Sequence, residues 1–353
     1  MKSEILAGAL LPHLVSRREF LCSLALAGVA TSFRKAIPDA LQTPYKLNRL
    51  VIAPSKKAGA FDAQGADAPF VFRYGNSFYM TYVGFDGEGY QTGLASSSDL
   101  IQWQKETLLL RRDPKNPVIR YNVALTWILR ENGVFSPGRL KKVRGRYLGV
   151  YHAYPRPGYE VGPAAIGLCW SHDLWHWELE EPCLRAEDGQ PWEQGGLYKA
   201  CLVEDQGTYY LFYNAKGRAA QWKEQTGFAS STDLKRWARF SGNPVLRNGP
   251  PCSPDERFCS DPCVLRYGRQ WAVFYYGLDA RGVARDLLAL SPDLRRMAKC
   301  QGFLIDVGPA GSVDSQYAHK PSVVFNQSVL YHFYCAVSLE FGRGISLAAS
   351  RPM

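Results

Sequence analysis

Acidic residues recur in this chain at intervals of roughly sixty residues, each ahead of an aromatic strand pattern. They are Asp62, Glu131, Glu193, Asp255 and Asp314. Carboxyl groups that share one pocket can divide the work of proton donor and of base or nucleophile. Like charges that converge also repel each other, and their pKa values spread apart. These acids therefore indicate general acid–base chemistry if the fold brings them together.

Two repeated motifs indicate which elements would position the acids. The first is an aromatic hairpin that ends in tyrosine, and the second is a Ser-rich stretch followed by Asp-Leu-x-x-Trp. The closing tyrosines are Tyr82, Tyr151, Tyr213, Tyr275 and Tyr334. The second motif occurs at 95–103, 171–177 and 230–237, with Met297 replacing Trp in a fourth copy and a degenerate fifth copy at 346–350. Each hairpin fits the strand and turn rules.

The repeat length predicts an all-β fold, a five-bladed β-propeller. The units are longer than the ~40–45 residues of a WD repeat or the ~50 residues of a kelch repeat. Strand patterns dominate, which excludes a TIM barrel or a Rossmann fold. The last repeat lacks its outer strand, so we expect residues 48–53 to supply it and close the ring. The inner strands are expected to start at Pro69, Pro137, Ala200, Pro262 and Pro321.

In a propeller the innermost strands line a central channel, and the segments leading into them form its mouth. The position just before each innermost strand differs from repeat to repeat, as a specialised site would require. Its occupants are Ala68, Ser136, Lys199, Asp261 and Lys320. We expect Lys199 and Lys320 to pair with Asp261 or with neighbouring acids.

Two carboxyl groups facing one glycosidic bond are the minimum for its hydrolysis. Glu193 is the predicted general acid, because Trp192 could raise its pKa by desolvation or stack on a sugar. Asp62 is the predicted base or nucleophile, and Asp314 completes the predicted catalytic set by orienting the sugar or tuning pKa values. The predicted substrate-binding residues are Asp67, Trp192, Lys199, Asp255, Asp261, His319 and Lys320. The alternative is that most of the recurring acids are structural turn or capping groups.

Four segments carry a common blade pattern: Phe61 to Pro69, Phe78 to Tyr82, Gly93 to Trp103 and Gly227 to Trp237. They resemble the blades of five-bladed propeller glycosidases, the superfamily of glycoside hydrolase families 43, 32, 68, 117 and 130. The resemblance spans roughly residues 46–350. Ala68 stands where family 43 has Asp, the Trp-Met-Asn-Asp-Pro pattern of family 32 is absent, and Ser260-Asp261-Pro262 only faintly resembles the Arg-Asp-Pro of families 32 and 68.

The resemblance implies a glycosidase that acts on O-glycosyl bonds of a carbohydrate substrate. One alternative is a carbohydrate-binding propeller without catalysis. Another is a phosphorylase like those of family 130, in which Lys199, Lys320 and His319 would hold phosphate. A third is a scaffold that binds protein.

The N-terminus has the layout of a twin-arginine export signal. Arg17-Arg18 precede a short apolar run and the small residues that end at Ala30. We expect a signal peptide at 1–30, a linker at 31–45 and the propeller at 46–353. This predicts export in the folded state by the twin-arginine machinery to the periplasm or beyond, with no membrane span in the mature protein.

Charge and composition limit the classes of binding partner that we expect. The net charge is +10 and aromatic residues make up 13% of the chain. The densest basic stretch, 139–146, is typical of a hairpin edge, so no nucleic-acid partner is expected, and anionic substrates are allowed. No cofactor and no metal site are predicted, although the acids would also suit calcium. The cysteines are expected to be mostly buried free thiols.

Overall fold

The structure, a computed structural model, describes residues 35–353, which form one unit. Among them are two short 3₁₀ turns, Asp39–Leu41 and Ala186–Asp188, and otherwise β-strands. The predicted signal peptide lies outside the described residues. Residues 35–45, expected as linker, pack onto the domain, since Leu41 and Thr43 are fully buried.

The strands range from 2 to 10 residues in length. In chain order they are β1 Tyr45–Lys46, β2 Gly65–Tyr74, β3 Ser77–Phe85, β4 Tyr90–Ser97, β5 Gln104–Leu110, β6 Ala124–Ile128, β7 Lys142–Val143, β8 Arg146–Ala153, β9 Ala165–Ser171, β10 Glu178–Arg185, β11 Gly196–Asp205, β12 Thr208–Lys216, β13 Glu224–Ser231, β14 Ala238–Arg239, β15 Phe258–Tyr267, β16 Gln270–Leu278, β17 Ala284–Ser291, β18 Ala298–Lys299, β19 Tyr317–Asn326, β20 Val329–Ser338 and β21 Gly342–Ala349.

Pairing divides these strands into successive antiparallel groups. They are β2 to β5, β6 to β10, β11 to β14, β15 to β18, and β19 to β21 with β1. Short parallel contacts join β13 to β15, β17 to β19 and β21 to β2, so most groups merge into one 16-stranded sheet. Because this sheet is continuous, the number of blades stays a prediction.

The N-terminal segment completes the last group. Tyr45 and Lys46 pair antiparallel with Ala349 and Ala348 of β21, and Ile52 bridges to Ile345. The expected joining of 48–53 to the last group is therefore observed, with the paired stretch reaching back to Tyr45. The edge of β21 is covered, which leaves fewer unpaired backbone groups open to another polypeptide.

One strand expectation is wrong. The inner strand of the second group is β6, Ala124–Ile128, which pairs with β8, and it does not start at Pro137. The segment that follows β6 crosses the end of the channel. The Val134 N–H donates to the Arg266 carbonyl at 2.9 Å, and the Ser136 carbonyl accepts a hydrogen bond from the Phe325 N–H at 2.9 Å. The sequence that ends at Tyr151 resembles the other hairpins, which is why the sequence predicts an inner strand at Pro137. The segment between β6 and β7 instead closes the end of the channel, and we call it the plug.

A buried guanidinium reinforces this plug. Arg130 donates to the carbonyls of Val71 at 2.7 Å and Val323 at 2.8 Å, which belong to two different inner strands. The plug therefore lies at the far ends of the strands whose first residues form the mouth, and the channel is blind at that end.

We predict that Lys46→Met loosens the last group. Lys46 Nζ lies 2.6 Å from Asp314, whose side chain is fully buried, so the change leaves a buried carboxylate without its cation. Losing a hydrogen bond to a charged group costs about 1.5–3 kcal/mol. Urea unfolding should show this loss in the free energy of unfolding. Lys57→Met, at an exposed lysine, is the matched control and should leave it unchanged; equal stability of the two variants would contradict the role given to Lys46.

Candidate functional site

A cavity lies where the first residues of the inner strands meet. Its lining consists of Asp67, Ala68, Val83, Tyr90, His152, Tyr154, Glu160, Tyr198, Lys199, Asp261 and Lys320. The space inside this cavity that a water-sized sphere can occupy is about 20 Å³. Because about 10–15 Å³ of such space holds one water molecule, the cavity admits a group the size of one hydroxyl, and the rest of a ligand has to lie outside it.

The inner strands reach this cavity through irregular backbone. The register shifts between Asp67 and Phe70 in β2, between Leu197 and Ala200 in β11, and equivalently in β15 and β19. A β-bulge inserts a residue and re-aims its side chain. The residues at these bulges are Ala68, Lys199, Asp261 and Lys320. The position that breaks the sequence repeat is thus the position that lines the cavity.

The bulges carry backbone strain. Ala68, Asp261 and Lys320 have φ values of +47°, +52° and +67°, and Glu160 in the loop after β8 has +58°. Residues other than glycine rarely adopt this left-handed region, and such outliers cluster at functional sites. In the second group the register shift falls between Leu125 and Trp127, so Ser136 does not reach the cavity.

Asp67 is the most heavily bonded carboxylate of the site. Lys320 Nζ lies 2.8 Å and Arg343 Nη1 3.2 Å from its Oδ2, which also accepts a hydrogen bond from the Tyr159 hydroxyl. Burial would raise the pKa of Asp67, but Lys320, Arg343 and His319 together hold it well below its usual range. Asp67 is therefore a fixed anion that joins β2, β19, β21 and the loop after β8.

Glu160 follows Tyr159 in that loop. Its Oε1 lies 3.6 Å from Lys320 Nζ, beyond hydrogen-bond distance, and no donor among residues 35–353 comes closer to its carboxyl group. Burial raises the pKa of Glu160, and the charges of Asp261 and Asp67 raise it further against the lowering effect of Lys320 and Arg343. Glu160 is thus a carboxyl group that lines the cavity and favours its protonated form.

Glu224, the first residue of β13, is held by three donors. Trp222 Nε1 lies 2.7 Å from Oε1, and Asn214 Nδ2 and Ser260 Oγ each lie 2.7 Å from Oε2. Burial first, and then the charge of Glu160, raise the pKa of Glu224 to about 7. Because the two groups interact, they titrate as a pair whose proton belongs to both. Glu224 therefore lies beside the cavity lining and is electrostatically linked to Glu160 within it.

Asp261 and His152 complete the polar lining. Burial raises the pKa of Asp261, partly offset by Lys320 and Lys199. Burial, with the charges of Lys320 and Lys199, lowers the pKa of His152 to about 3, so its imidazole is neutral. Among the described residues no group of His, Cys, Asp and Glu has an arrangement that could hold a metal ion.

The predicted catalytic residues lie elsewhere. Asp62 bonds to the Tyr82 hydroxyl at 3.3 Å and to Lys105 Nζ at 2.5 Å. Glu193 accepts from the Tyr213 hydroxyl and from Arg239 Nε at 3.2 Å. Each carboxylate therefore accepts hydrogen bonds from a tyrosine and from a cationic side chain of its own strand group, an arrangement that we call the clasp. Neither carboxylate lines the cavity.

The same clasp recurs in the last two groups. Asp255 bonds to Tyr275 and Lys299, and Asp314 bonds to Tyr334 and Lys46. Each acid precedes its tyrosine by 20 residues, as for Asp62 and Glu193. This constant spacing is a signal in the sequence of a repeated structural contact. Their catalytic and substrate-binding roles stay predictions, and the geometry favours the residues of the cavity instead.

The remaining predicted residues lie in the cavity lining, behind it, or beside one of the clasps. Asp67, Lys199, Asp261 and Lys320 line the cavity. Trp192 stacks on Tyr213 with ring centroids 6.1 Å apart, next to the Glu193 clasp. His319 is buried behind the cavity, where Nδ1 faces the Cys335 carbonyl and Nε2 faces Arg343.

Glu131 does not approach the mouth. Its Oε2 accepts from Ser136 Oγ and lies 3.8 Å from Arg139 Nη1, in the plug at the opposite end. Sequence reasoning missed Glu160 and Glu224, because neither sits at a repeated position. A signal was present for Glu160, since Gly158 and Gly162 bracket it in a segment that the repeats do not explain.

Comparisons with known proteins agree with this architecture. The model of the glycosyl hydrolases family 32 N-terminal domain matches residues 134–297. No curated protein sequence matches this one. The structure of a complex of BT0996 with RGII is 29% identical and has a TM-score of 0.77, over 89% of this chain and 94% of that one.

Two further structures share the fold at lower identity. One belongs to work on the GH130 family of mannoside phosphorylases, which contains glycoside hydrolases that target β-1,2-mannosidic linkages in Candida mannan. It is 14% identical with a TM-score of 0.66, over 91% of this chain and 98% of that one. The other, a thermostable family-43 glycoside hydrolase, is 15% identical with a TM-score of 0.56, over 84% and 91%.

The fold class is therefore the β-propeller of glycoside hydrolases, as the sequence predicted. The chain falls in the β-propeller glycoside hydrolase superfamily, whose families 32, 43 and 130 are all represented among these matches.

We predict that Glu224→Gln changes how stability depends on pH. A carboxyl group whose pKa is raised from 4.5 to about 7 in the folded state stabilises the fold below pH 4.5, and this contribution is lost as pH rises through 7. The glutamine cannot ionise, so the fall in the free energy of unfolding between pH 5 and pH 8 should shrink by about 1–3 kcal/mol. Chemical denaturation at both pH values measures it. Glu131→Gln is the control, and an unchanged pH dependence in Glu224→Gln would contradict the assigned titration.

Proposed function

We propose that this protein is a glycoside hydrolase that removes a terminal sugar residue, with Glu160 and Glu224 as its paired carboxyl groups. The observation that carries the proposal is their environment: two interacting carboxyl groups with raised pKa values, Glu160 half-buried in the cavity lining and Glu224 buried beside it. A glycosidase needs one carboxyl group that holds a proton and one that is ionised in the same cycle.

Unequal hydrogen bonding assigns the two roles. Three donors fix the orientation of Glu224, and the hydrogen bonds from Ser260 and Asn214 lower its pKa against the burial that raises it to about 7, so we assign Glu224 as the carboxylate that attacks the sugar or takes a proton from water. Glu160 lines the cavity without a donor in hydrogen-bond distance among the described residues and has a raised pKa, so we assign it as the general acid.

The proposed reaction consumes one water molecule for each glycosidic bond that it cuts. Glu160 gives its proton to the glycosidic oxygen as the bond from that oxygen to the sugar carbon breaks. Water supplies a hydroxyl to the sugar and returns one proton to the carboxyl pair. The leaving glycan keeps its oxygen as a hydroxyl group, so neither product carries a new charge.

The closed end of the channel supports removal of one residue at a time. Arg130 and the segment after β6 block the far end, so a glycan can enter only from the mouth. The loop with Tyr159 and Glu160 lies at that mouth, since Glu160 lines the cavity.

Phosphorolysis needs a free cationic pocket for phosphate. Lys320 is bonded to Asp67, and His319 faces a backbone carbonyl and Arg343, so of the three groups predicted to hold phosphate only Lys199 has no hydrogen-bond partner among the described residues. This favours hydrolysis. Adding inorganic phosphate to the assay tests the alternative, since a phosphorylase would release a sugar phosphate.

We predict opposite leaving-group behaviour for the two variants. A panel of 4-nitrophenyl glycosides, RGII and β-1,2-mannobiose identifies a substrate, the last two because of the structures to which this protein is similar. Glu160→Gln should lower kcat/KM about 10²- to 10⁴-fold on the natural linkage and far less on a 2,4-dinitrophenyl glycoside, whose leaving group needs no proton. Glu224→Gln should lose activity on both.

Glu193→Gln decides between the two assignments of the acid. We expect it to lower the free energy of unfolding while the folded protein retains kcat. Loss of activity in Glu193→Gln at unchanged stability, together with an active Glu160→Gln, would sink the proposed pair and restore the assignment made from sequence. Binding of glycans without release of sugar would instead identify a binding protein.

We also propose that the protein is exported in its folded state by the twin-arginine route. Arg17-Arg18 and the apolar residues after them support this. Among the described residues, no helix is long and apolar enough to cross a membrane. Replacing Arg17 and Arg18 with lysine should move most of the protein from the periplasmic to the cytoplasmic fraction of a bacterial host, as measured by immunoblotting. Lys2→Arg is the control, and unchanged export of the double variant would refute the signal.

A further inference from the structure

One ammonium group in the cavity lacks a hydrogen-bond partner among the described residues. Lys199 is 4% exposed, lines the cavity, and its Nζ is buried with no acceptor within hydrogen-bond distance. A buried ammonium without an acceptor is costly, and native structures rarely leave one so. Lys199 is therefore placed to donate to something that enters the cavity.

The nearest carboxylate leaves a gap of defined size. Asp261 Oδ2 lies 3.9 Å from Lys199 Nζ, too far for a direct hydrogen bond. A sugar hydroxyl placed beside both groups can accept from the ammonium and donate to the carboxylate at ordinary distances. One hydroxyl group thus satisfies two buried charges at once.

Other unpartnered polar atoms surround the same space. The hydroxyls of Tyr90 and Tyr198 and Nδ1 of His152 are buried without partners among the described residues, and all three residues line the cavity. These groups are uncharged, since burial raises the pKa of both tyrosines and lowers that of His152. Such a lining matches the hydroxyl groups of a sugar ring, which both donate and accept.

An anionic group would fit this place poorly. A carboxylate that approached Lys199 would also approach Asp261 at a similar distance, and the repulsion would offset the attraction. The other lysine of the lining, Lys320, is already bonded to Asp67.

We propose that Lys199 and Asp261 form a clamp for one hydroxyl group of an uncharged terminal sugar, and that this clamp makes the site select neutral sugars over uronic acids. The proposal rests on the proposed glycosidase function, whose active pair it leaves unchanged. It assigns the clamp to substrate binding and not to proton transfer.

Matched substrates test the selection. The 4-nitrophenyl glucoside and galactoside are compared with the corresponding glucuronide and galacturonide, alongside neutral pentosides. The wild type should prefer a neutral substrate at least 10-fold in kcat/KM. A uronide hydrolysed as fast as its neutral counterpart, or faster, would overturn the proposal.

A cycle of variants and deoxygenated substrates tests the clamp. Lys199→Met should lower kcat/KM about 10- to 100-fold, as expected for a lost hydrogen bond to a charged group. The monodeoxy sugar that lacks the bridged hydroxyl should lose a similar factor with the wild type, and little more with Lys199→Met. Losses that multiply for every deoxy position would mean that no hydroxyl contacts Lys199.

Lys141→Met, at a partly exposed lysine paired with Glu204, is the matched control and should keep full activity. Asp261→Asn tests the acceptor side and should reproduce the same non-additive pattern. If Glu160→Gln is inactive while Lys199→Met equals the wild type, the clamp is refuted and the function stands. If Glu160→Gln remains fully active on the natural linkage, the proposed function itself fails.

Discussion

The β-bulge near the start of each inner strand is the constraint on which the site depends. A regular strand would send successive side chains alternately to its two faces. The bulges at Ala68, Lys199, Asp261 and Lys320 interrupt that alternation and turn these positions toward the axis. Charged side chains from separate strand groups thereby meet in one cavity, at the cost of left-handed backbone at three of the four positions.

Buried charges in such a cavity must neutralise one another or shift their pKa values. Asp67 follows the first course, because Lys320, Arg343 and Tyr159 surround it and keep it ionised. The pKa values of Glu160 and Glu224 are raised instead, and in the proposed mechanism acid catalysis uses the proton that they share. Asp67 also ties the loop of Glu160 to three strands, so the fixed anion positions the backbone that carries the proposed proton donor.

A second constraint holds the scaffold together away from the cavity. In four of the groups a buried acid accepts hydrogen bonds from a tyrosine of the second strand and from a lysine or arginine of the outer strand. In the last group that cation is Lys46 of β1, so ring closure uses the same contact as the other groups. Acids with these partners are anchored, which gives a structural reason for an acid at this position of each repeat.

The sequence by itself determined the all-β repeat, the role of the N-terminal segment in covering the last strand, and the bulge position as the variable one, since periodicity and composition follow directly from residue order. It also contained the constant spacing between acid and tyrosine, which marks a local contact. Only the tertiary structure decided which carboxyl groups lie in the cavity lining and which lie beside it. Glu160 and Glu224 come from a loop and a third strand of different groups, and their proximity depends on the packing of whole sheets around an axis, which no spacing along the chain records.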